Sequence, residues 1–278
     1  MGKRSRVAGV TAAGVVAALT AGAAVAVTSN NDGAAGASQP ASTQQPEPFG
    51  ESNLPTADAS TDEQAPAAAN IDSRVLTAGA KGKLPRNFQV KTKDPVFFIT
   101  VDDGNTKNAA ALKFVTQHRI PATVFLTNNS VAGQWDYFRK FASFGGSVEN
   151  HTMTHRSLTS ASTPLSFEIC RPQQLYAAKY GHAPTLLRPP YGNGGYANTS
   201  RAKRTAIDSA ASRCGIRHVV MWNAVAENGR FQFIRGSLKR GDIVLFHFTP
   251  SLAGELKTVM NMAKKKGLHP APLTNYLK

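Results

Sequence analysis

Two adjacent acids, Asp102 and Asp103, follow an apolar run and precede Gly104, a residue type that permits a sharp turn. Adjacent strand residues point to opposite faces, so the two carboxylates should not share one role unless the strand ends there. One can then bind a metal ion while the other acts as a base. The alternative is an ordinary Asp-Asp-Gly turn at a strand end, and this segment alone does not decide between the two.

Two histidines, His151 and His155, are four residues apart, so they would lie on one side of a helical turn. That spacing suits two ligands of one ion, although an exposed histidine pair is the alternative. Residues 146–149 before them have strand character, which puts the pair at the C-terminal end of a strand. Together with one Asp, two His side chains leave open coordination positions, as a catalytic ion requires.

Two further signals also stand at predicted strand ends. Arg188 begins the sequence Arg-Pro-Pro-Tyr-Gly, a stiff turn that includes Tyr191 and sets the direction of the backbone. His247 ends an apolar run that is typical of a buried strand. A lone His at a strand end is more often structural than catalytic, so His247 gains weight only from the other motifs.

The elements that must position these residues alternate along the chain from about residue 90. Predicted strands are 96–101, 122–126, 146–149, 186–188, 218–222 and 243–246, and predicted helices are 107–118, 135–144, 165–180, 201–213 and 252–266. Apolar strands that alternate with helices indicate an α/β fold with parallel strands buried on both faces. Residues 90–278 are slightly few for a complete eight-fold barrel, which needs about 200–250. The sequence therefore predicts a distorted, incomplete (β/α) barrel, in which reactive groups cluster at the C-terminal strand ends.

The N-terminal third has no composition from which a core could be built. A basic run at 2–6 precedes an uncharged apolar stretch, so residues 1–27 are expected to be a signal peptide or an N-terminal membrane anchor. Residues 28–89, rich in Ala, Ser, Thr, Gln and Pro, are expected to be a disordered linker. The catalytic domain would then span 90–278, in a chain that is secreted or associated with the cell wall.

The charge is concentrated in the folded part, where residues after 70 hold 29 Lys or Arg against 11 Asp or Glu. Such a field suits an anionic partner, whether nucleic acid, acidic lipid or a phosphate-bearing polymer of the cell wall. Export makes nucleic acid the least expected of the three, and contact with a membrane is expected only through the N-terminal anchor. A basic protein that is kept soluble by its charge needs no such partner at all.

The chain has two cysteines, Cys170 and Cys214. In an exported chain without close Cys spacing, they indicate one disulfide rather than a metal site. A bond that closes this loop would stabilise the fold by about 4 kcal/mol on the chain-entropy model.

The four polar motifs follow one another in the order in which they occur in a known family. The sequence therefore resembles the polysaccharide deacetylase family with the NodB-homology domain, also called carbohydrate esterase family four. The resemblance covers about residues 93–277, nearly the whole folded part. Residues 100–104 match the family's Asp-Asp-Gly motif, 151–155 its His-Ser/Thr-x-x-His motif, 188–191 its Arg-Pro-Pro-Tyr motif and 245–247 its Leu-x-His motif.

The resemblance implies a metal-dependent hydrolase that removes N-acetyl groups from a polysaccharide containing N-acetylglucosamine, such as peptidoglycan or a chitin-like polymer. Asp103, His151 and His155 would hold a divalent ion, zinc foremost, with Co, Ni or Mn as alternatives. Two other functions stay open. One is removal of O-acetyl groups from acetylated xylan, and the other is a catalytically weak homologue that binds the cell wall.

The resemblance also implies roles for the remaining motif residues. Asp102 would accept a proton from the attacking water, held in place by a charge-assisted bond from Arg188. The backbone N–H of Tyr191 would help to stabilise the oxyanion, and His247 would protonate the departing sugar amine.

One family element is missing from this chain. After Trp222 the family usually has two acids in an Asp-x-x-Asp-Trp motif, but Val225 and Asn228 stand at their positions here. The substitution puts in question the acidic partner of His247 and one wall of the sugar groove, and leaves the metal ligands untouched. Glu227 would face the same side as Val225 in an extended segment and is a candidate substitute.

Overall fold

A computed structural model of the chain describes residues 83–131 and 133–277. The segment expected to be a signal peptide or anchor, 1–27, and residues 28–82 of the expected linker lie outside the described residues. Within the described part, no helix has the length and apolar character needed to cross a bilayer.

Ten strands and six α-helices follow one another in the described part of the chain. The strands are β1 (Arg86–Asn87), β2 (Val96–Asp103), β3 (Ala122–Leu126), β4 (Ser147–Asn150), β5 (Leu186–Leu187), β6 (His218–Val220), β7 (Ala224–Glu227), β8 (Arg230–Phe233), β9 (Ile243–His247) and β10 (His269–Pro270). The α-helices are α1 (Ala109–Gln117), α2 (Asn128–Val131), α3 (Trp135–Phe141), α4 (Leu165–Tyr180), α5 (Arg201–Arg213) and α6 (Leu252–Lys265). Short 3₁₀-helices occupy Pro190–Gly192 and Leu273–Asn275.

The ten strands form one sheet with the order β1-β6-β5-β4-β3-β2-β9-β7-β8, and β10 pairs with β2 outside this path. All of these pairings are parallel except that of β7 with β8. Because β1 and β8 end the order, the sheet curls without closing into a full barrel. The predicted α/β fold with a distorted, incomplete (β/α) barrel is confirmed.

The long elements agree closely with the sequence prediction, and the short ones do not. The bounds of β3, α4 and α5 are as predicted, whereas β2 runs two residues further, to Asp103, and β9 includes His247. The sequence does not predict the hairpin of β7 and β8, nor the two-residue strands β1 and β10. Because β1 pairs with β6 and Leu84 is buried beside it, the folded region begins before residue 90, the boundary expected from composition.

Alternating side chains of the strands enter two different cores. On β2, Phe97, Ile99 and Val101 pack with α1, α3 and α6, whereas Phe98 faces the barrel interior with Phe125 of β3. Burying each such side chain contributes about 1.5–3 kcal/mol. The outer core therefore fixes the strands against the helices, and the inner face near the C-terminal strand ends is left to polar residues.

The barrel interior also holds a carboxylate without a cationic partner in the part of the chain that is described. Glu149 of β4 is buried, and its Oε2 accepts the N–H groups of Thr185 and Leu186 at 2.9 and 2.8 Å. Burial raises the pKa of Glu149 to about 7, although these hydrogen bonds work in the opposite direction. The two bonds tie the start of β5 to β4 and thereby help to place Arg188, which follows β5.

The predicted pairing of Cys170 with Cys214 is confirmed, since a disulfide joins the two, with 5.2 Å between their Cα atoms. Cys170 lies in α4 and Cys214 immediately follows α5. The bond therefore links the two helices that cover β5 and β6, and it lies outside the cavity described below.

Replacing both cysteines by serine should lower the free energy of unfolding by up to about 4 kcal/mol, because the reduced unfolded chain regains the entropy of an open loop. Urea denaturation followed by circular dichroism measures this difference. Peptide mapping of the unreduced protein provides the control. Two free thiols in the oxidised protein, or equal stability of the two forms, would contradict the expectation.

Candidate active site

A cavity of about 530 Å³ lies at the C-terminal edge of the sheet. Its lining includes the polar residues singled out in the sequence: Asp102, Asp103, His151, His155, Tyr191 and His247. Parallel strands bring their C-terminal ends to one edge, so motifs that are far apart in sequence meet there. In the register of β2 with β9, Asp102 stands opposite His247.

Asp103, His151 and His155 form one convergent group. Asp103 Oδ1 lies 3.4 Å from His151 Nε2 and 3.2 Å from His155 Nε2, and the three potential ligand atoms lie within 4.8 Å of one another. Asp103 Oδ1 is buried yet has no hydrogen bond of acceptable geometry. A buried carboxylate oxygen facing two imidazole nitrogens, with its bonding capacity unused, is a donor set that fits a divalent cation.

The backbone explains how two neighbouring acids reach the same cavity. Asp103 has φ of 76°, so the extended conformation ends there and its carboxylate does not take the face opposite to Asp102. Asp102 Oδ2 lies 3.8 Å from His151 Nε2. The condition set by the sequence, that the strand must end at this point, is met.

The loop that carries the two histidines is not helical, and the expectation of a helical turn is wrong. Thr152 and His155 have φ of 74° and 62°, and residues 151–155 are irregular. The loop is held instead by two buried polar side chains. Asn150 Oδ1 accepts the N–H of Thr152 at 2.8 Å, and Glu168 of α4 accepts both the N–H and the hydroxyl of Thr154, at 2.9 and 2.6 Å.

The orientation of the His151 ring is set by a second hydrogen bond. Its Nδ1 lies 2.7 Å from the backbone carbonyl oxygen of Arg188. Because a carbonyl only accepts, Nδ1 carries a proton, and Nε2, the other ring nitrogen, is directed at Asp103. Metal-binding histidines commonly have this arrangement.

The electrostatics of the group follow from its burial and its opposite charges. Burial alone would raise the pKa of the Asp103 carboxyl, but the imidazoles of His151 and His155 hold it well below its usual range. Burial alone would lower the pKa of His151, whereas the carboxylates of Asp102 and Asp103 raise it above its ordinary value. The two imidazoles therefore favour the ionised form of the Asp103 carboxyl.

Arg188 lies beneath the cavity with no solvent exposure. Its Nη1 donates to Asp102 Oδ1 at 2.7 Å and to the Thr100 hydroxyl at 2.9 Å. Its other nitrogens donate to the carbonyl oxygens of Val220 and Met221, at 3.2 and 3.1 Å. This leaves Asp102 Oδ2 as the carboxylate oxygen on the side of the cavity.

Tyr191 and His247 complete the set of predicted residues. Tyr191 has φ of 60° within the 3₁₀-helix, its side chain is 65% exposed, and its ring centroid lies 4.8 Å from that of His155. His247 is partly buried at the end of β9. No carboxylate of the described residues forms an ion pair within 4.0 Å of the His247 ring.

The hairpin of β7 and β8 forms one wall of the cavity, in the segment where the family resemblance predicts a wall but the sequence does not predict a hairpin. Val225 stands opposite Leu245 in the register of β7 with β9, and Glu227, two residues further along, lines the same cavity as His247. The turn residues Asn228 and Gly229 have φ of 50° and 75°, as a two-residue hairpin turn requires. The Asn-Gly pair is the sequence signal that could have located the hairpin.

A buried residue outside the motifs holds this wall in place. Glu255 of α6 is 2% exposed, and its Oε1 accepts the N–H of Gly229 at 3.0 Å and the hydroxyl of Ser251 at 2.9 Å. Ser251 is in turn 2.9 Å from the hydroxyl of Thr249, which lines the cavity. The sequence does not predict the contact of Glu255 with Gly229, because a single Glu in an amphipathic helix is expected to face solvent.

Comparison with known proteins places this geometry in a family. The family model for polysaccharide deacetylases matches residues 89–216. An uncharacterized protein of Streptomyces coelicolor is 33% identical over 196 residues, which cover 68% of this chain and 75% of the relative. The peptidoglycan-N-acetylglucosamine deacetylase PgdA of Listeria monocytogenes is 24% identical over 211 residues, which cover 72% of this chain and 42% of PgdA.

Among solved structures, a chitin deacetylase from the fungal pathogen Colletotrichum lindemuthianum has the same fold. It superimposes with a TM-score of 0.56 at 19% identity, over 69% of this chain and 91% of that chain. The family-model match, residues 89–216, contains Asp102, Asp103, His151, His155 and Arg188 and ends before His247. The chain belongs to the polysaccharide deacetylase family.

Proposed function

We propose that the protein is a metal-dependent hydrolase that removes N-acetyl groups from a polysaccharide containing N-acetylglucosamine, either peptidoglycan or a chitin-like polymer. The observation that carries this proposal is one cavity in which Asp103, His151 and His155 converge beside the buried pair of Asp102 and Arg188. The attacking water and the acetyl carbonyl would lie between these two groups and His247. Family membership and the names of the relatives support the same reaction.

Asp103, His151 and His155 are the residues that would hold a divalent ion, with zinc as the first candidate and Co, Ni or Mn as alternatives. The buried, unpaired Asp103 Oδ1 and the fixed ring orientation of His151 fit this role. When bound, such an ion supplies Lewis-acid polarisation of the acetyl carbonyl.

The other residues supply proton transfer and orientation. Asp102 takes the proton of the attacking water at Oδ2, because Oδ1 is occupied by Arg188. The backbone N–H of Tyr191 faces the oxyanion of the tetrahedral intermediate. His247 donates a proton to the sugar nitrogen as the C–N bond breaks, so the products are acetate and a free amine.

Two alternatives use the same site. Removal of O-acetyl groups from acetylated xylan needs the same attack but no protonation of an amine. A catalytically weak homologue that binds the cell wall is favoured by one observation, the apolar Val225 where the family supplies a carboxylate near His247. We expect a slow enzyme rather than an inactive one, because the proposed ligand set and Asp102 are complete.

The location and the partner follow from the N-terminal sequence and from the surface charge. Residues 1–27 would direct export, with the protein either secreted or anchored at the membrane. Among the carboxylates of residues 83–131 and 133–277, only Asp94, Asp136 and Glu227 are exposed. The resulting positive field would attract an anionic polymer of the cell wall and concentrate the enzyme near its substrate.

We expect His151→Ala and Asp103→Ala to lose the bound metal while the fold persists, because the barrel cores do not include these side chains. Metal analysis by mass spectrometry, with circular dichroism as a check of the fold, measures both effects. His182→Ala, a change of an exposed histidine away from the cavity, is the matched control. A variant that keeps a full complement of metal would remove its residue from the ligand set.

Asp102→Asn should keep the metal but reduce turnover by about 10²–10⁴-fold, since an amide cannot accept the water's proton. Acetate release from chitooligosaccharides, assayed beside metal content, separates the two effects, and Asp136→Asn serves as control. Thermal unfolding must be followed as well, because the change weakens the one carboxylate bond that Arg188 makes among the described residues. Equal metal loss in the Asp102 and Asp103 variants would overturn the division of roles.

Val225→Asp should raise turnover several-fold, because a carboxylate here would stabilise the charged form of the proton-donating His247. Val225→Asn, which adds polarity without charge, should give no gain. Steady-state acetate release at unchanged metal content is the measurement. If Glu227→Gln lowers turnover and Val225→Asp gives no gain, Glu227 already supplies the carboxylate and the site is not deficient.

A further inference from the structure

A row of aromatic rings leads from the cavity towards the edge strand β1. Trp222 lines the cavity, and the ring of Tyr196 lies beside it, with centroids 6.1 Å apart and planes at 79°. Phe88, just after β1, lies on the other side of Tyr196 with a centroid distance of 6.0 Å. The rings thus run outward from the proposed site along the C-terminal ends of β6 and β1.

The position of Tyr196 is fixed by its own loop. Gly192 has φ of 68°, and a Cβ atom there would come within 2.5 Å of Tyr196 Cε2. Only glycine therefore allows this ring to rest on the backbone beside Tyr191. The ring is held in a defined place rather than projecting freely from a loop.

The same loop is held from below by an ion pair. Arg86 of β1 donates through Nε and Nη2 to the carbonyl oxygen of Gly194, both at 3.1 Å. Its Nη1 and Nη2 also contact the carboxylate of Asp208 in α5, at 3.1 and 2.9 Å. Because the Arg86 side chain is only 10% exposed, this arrangement is part of the fold and not a surface contact.

In spite of this support, Tyr196 remains 37% exposed. No group in the described part of the chain accepts a hydrogen bond from its hydroxyl. A partly exposed ring with a free hydroxyl matches the chemistry of a pyranose, which offers a C–H face for stacking and hydroxyl groups at its rim. Burial raises the pKa of Tyr196, partly offset by Arg188, so the hydroxyl stays neutral and able to donate.

We propose that Tyr196, supported by Phe88, forms a stacking subsite for a sugar of the same polymer, two positions or more away from the sugar whose acetyl group enters the cavity. This inference rests on the proposed function and adds its substrate class: the enzyme acts on extended chains in preference to disaccharides. We assign a sugar of the same polymer to this subsite because Trp222 both lines the cavity and contacts Tyr196, so the aromatic row is continuous with the cavity.

The test compares a disaccharide and a pentasaccharide of N-acetylglucosamine as substrates of the metal-loaded full chain. Tyr196→Ala should raise the KM for the pentasaccharide about five- to tenfold, leave kcat unchanged and leave both constants for the disaccharide as they were. Tyr196→Phe, which keeps the ring, should lie close to the unchanged protein. Phe167→Ala, which removes another exposed aromatic ring outside the cavity lining, is the matched control.

A second variant distinguishes loss of stacking from loss of the fold. Tyr196→Leu keeps apolar bulk on Gly192 but lacks a flat ring, so it should show the same rise in KM as Tyr196→Ala. Equal effects on the two substrates, or no effect on either, would overturn the subsite.

Calorimetric titration with the pentasaccharide separates this inference from the proposed reaction. If no acetate is released from any substrate, the proposed function fails, yet the subsite is supported when binding is weakened in Tyr196→Leu and kept in Tyr196→Phe. Binding that is identical in all variants, or absent from the unchanged protein, refutes the subsite.

Discussion

The rest of the site depends on one constraint: the guanidinium group of Arg188 is buried inside the barrel without solvent exposure. The charge of Arg188 is compensated by Asp102, and three of its other N–H groups donate to the Thr100 hydroxyl and two backbone carbonyl oxygens. Removing one partner of such a buried pair typically costs about 3–5 kcal/mol. Strands β2 and β6 and the end of β5 are thereby held in one relation, and the carboxylate of Asp102 cannot turn away.

The same residue contacts the proposed metal-binding group through its backbone. The carbonyl oxygen of Arg188 accepts the Nδ1 proton of His151, so one residue orients both the proposed base and one of the proposed ligands. The 4.2 Å distance between its guanidinium carbon and the centroid of the Phe125 ring adds a cation–π contact from below. The position of the proposed base, Asp102, and that of the proposed ligand His151 are therefore coupled, and a shift of β5 would displace both.

The sequence could predict the elements and the site where local signals are strong. Periodicity located α4 and α5 to the residue, and the four motifs led to residues that do meet in one cavity. Local patterns failed where backbone conformation depends on distant partners. The left-handed residues at Thr152 and His155 are held by Asn150 and Glu168, so the four-residue spacing of the histidines, which suggests a helix, reflects a loop. Strand β1 is two residues long and exists only because β6 lies beside it, so composition assigned it to the linker.

The two sides of the cavity are secured by separate parts of the chain. The side with the convergent carboxylate and imidazoles depends on the interior of the barrel, whereas the hairpin wall is held by the pairing of β7 with β9 and by Glu255, which accepts the backbone N–H of Gly229. Because these hydrogen bonds involve only the main chain of the hairpin, they place no demand on which side chains it presents to the cavity. Substitutions along β7 and β8 can consequently reshape the groove during evolution while the reactive centre stays intact. Substrate choice would then change faster in evolution than the reaction itself. Val225 and Asn228, which stand where the family pattern has acids, fit this expectation.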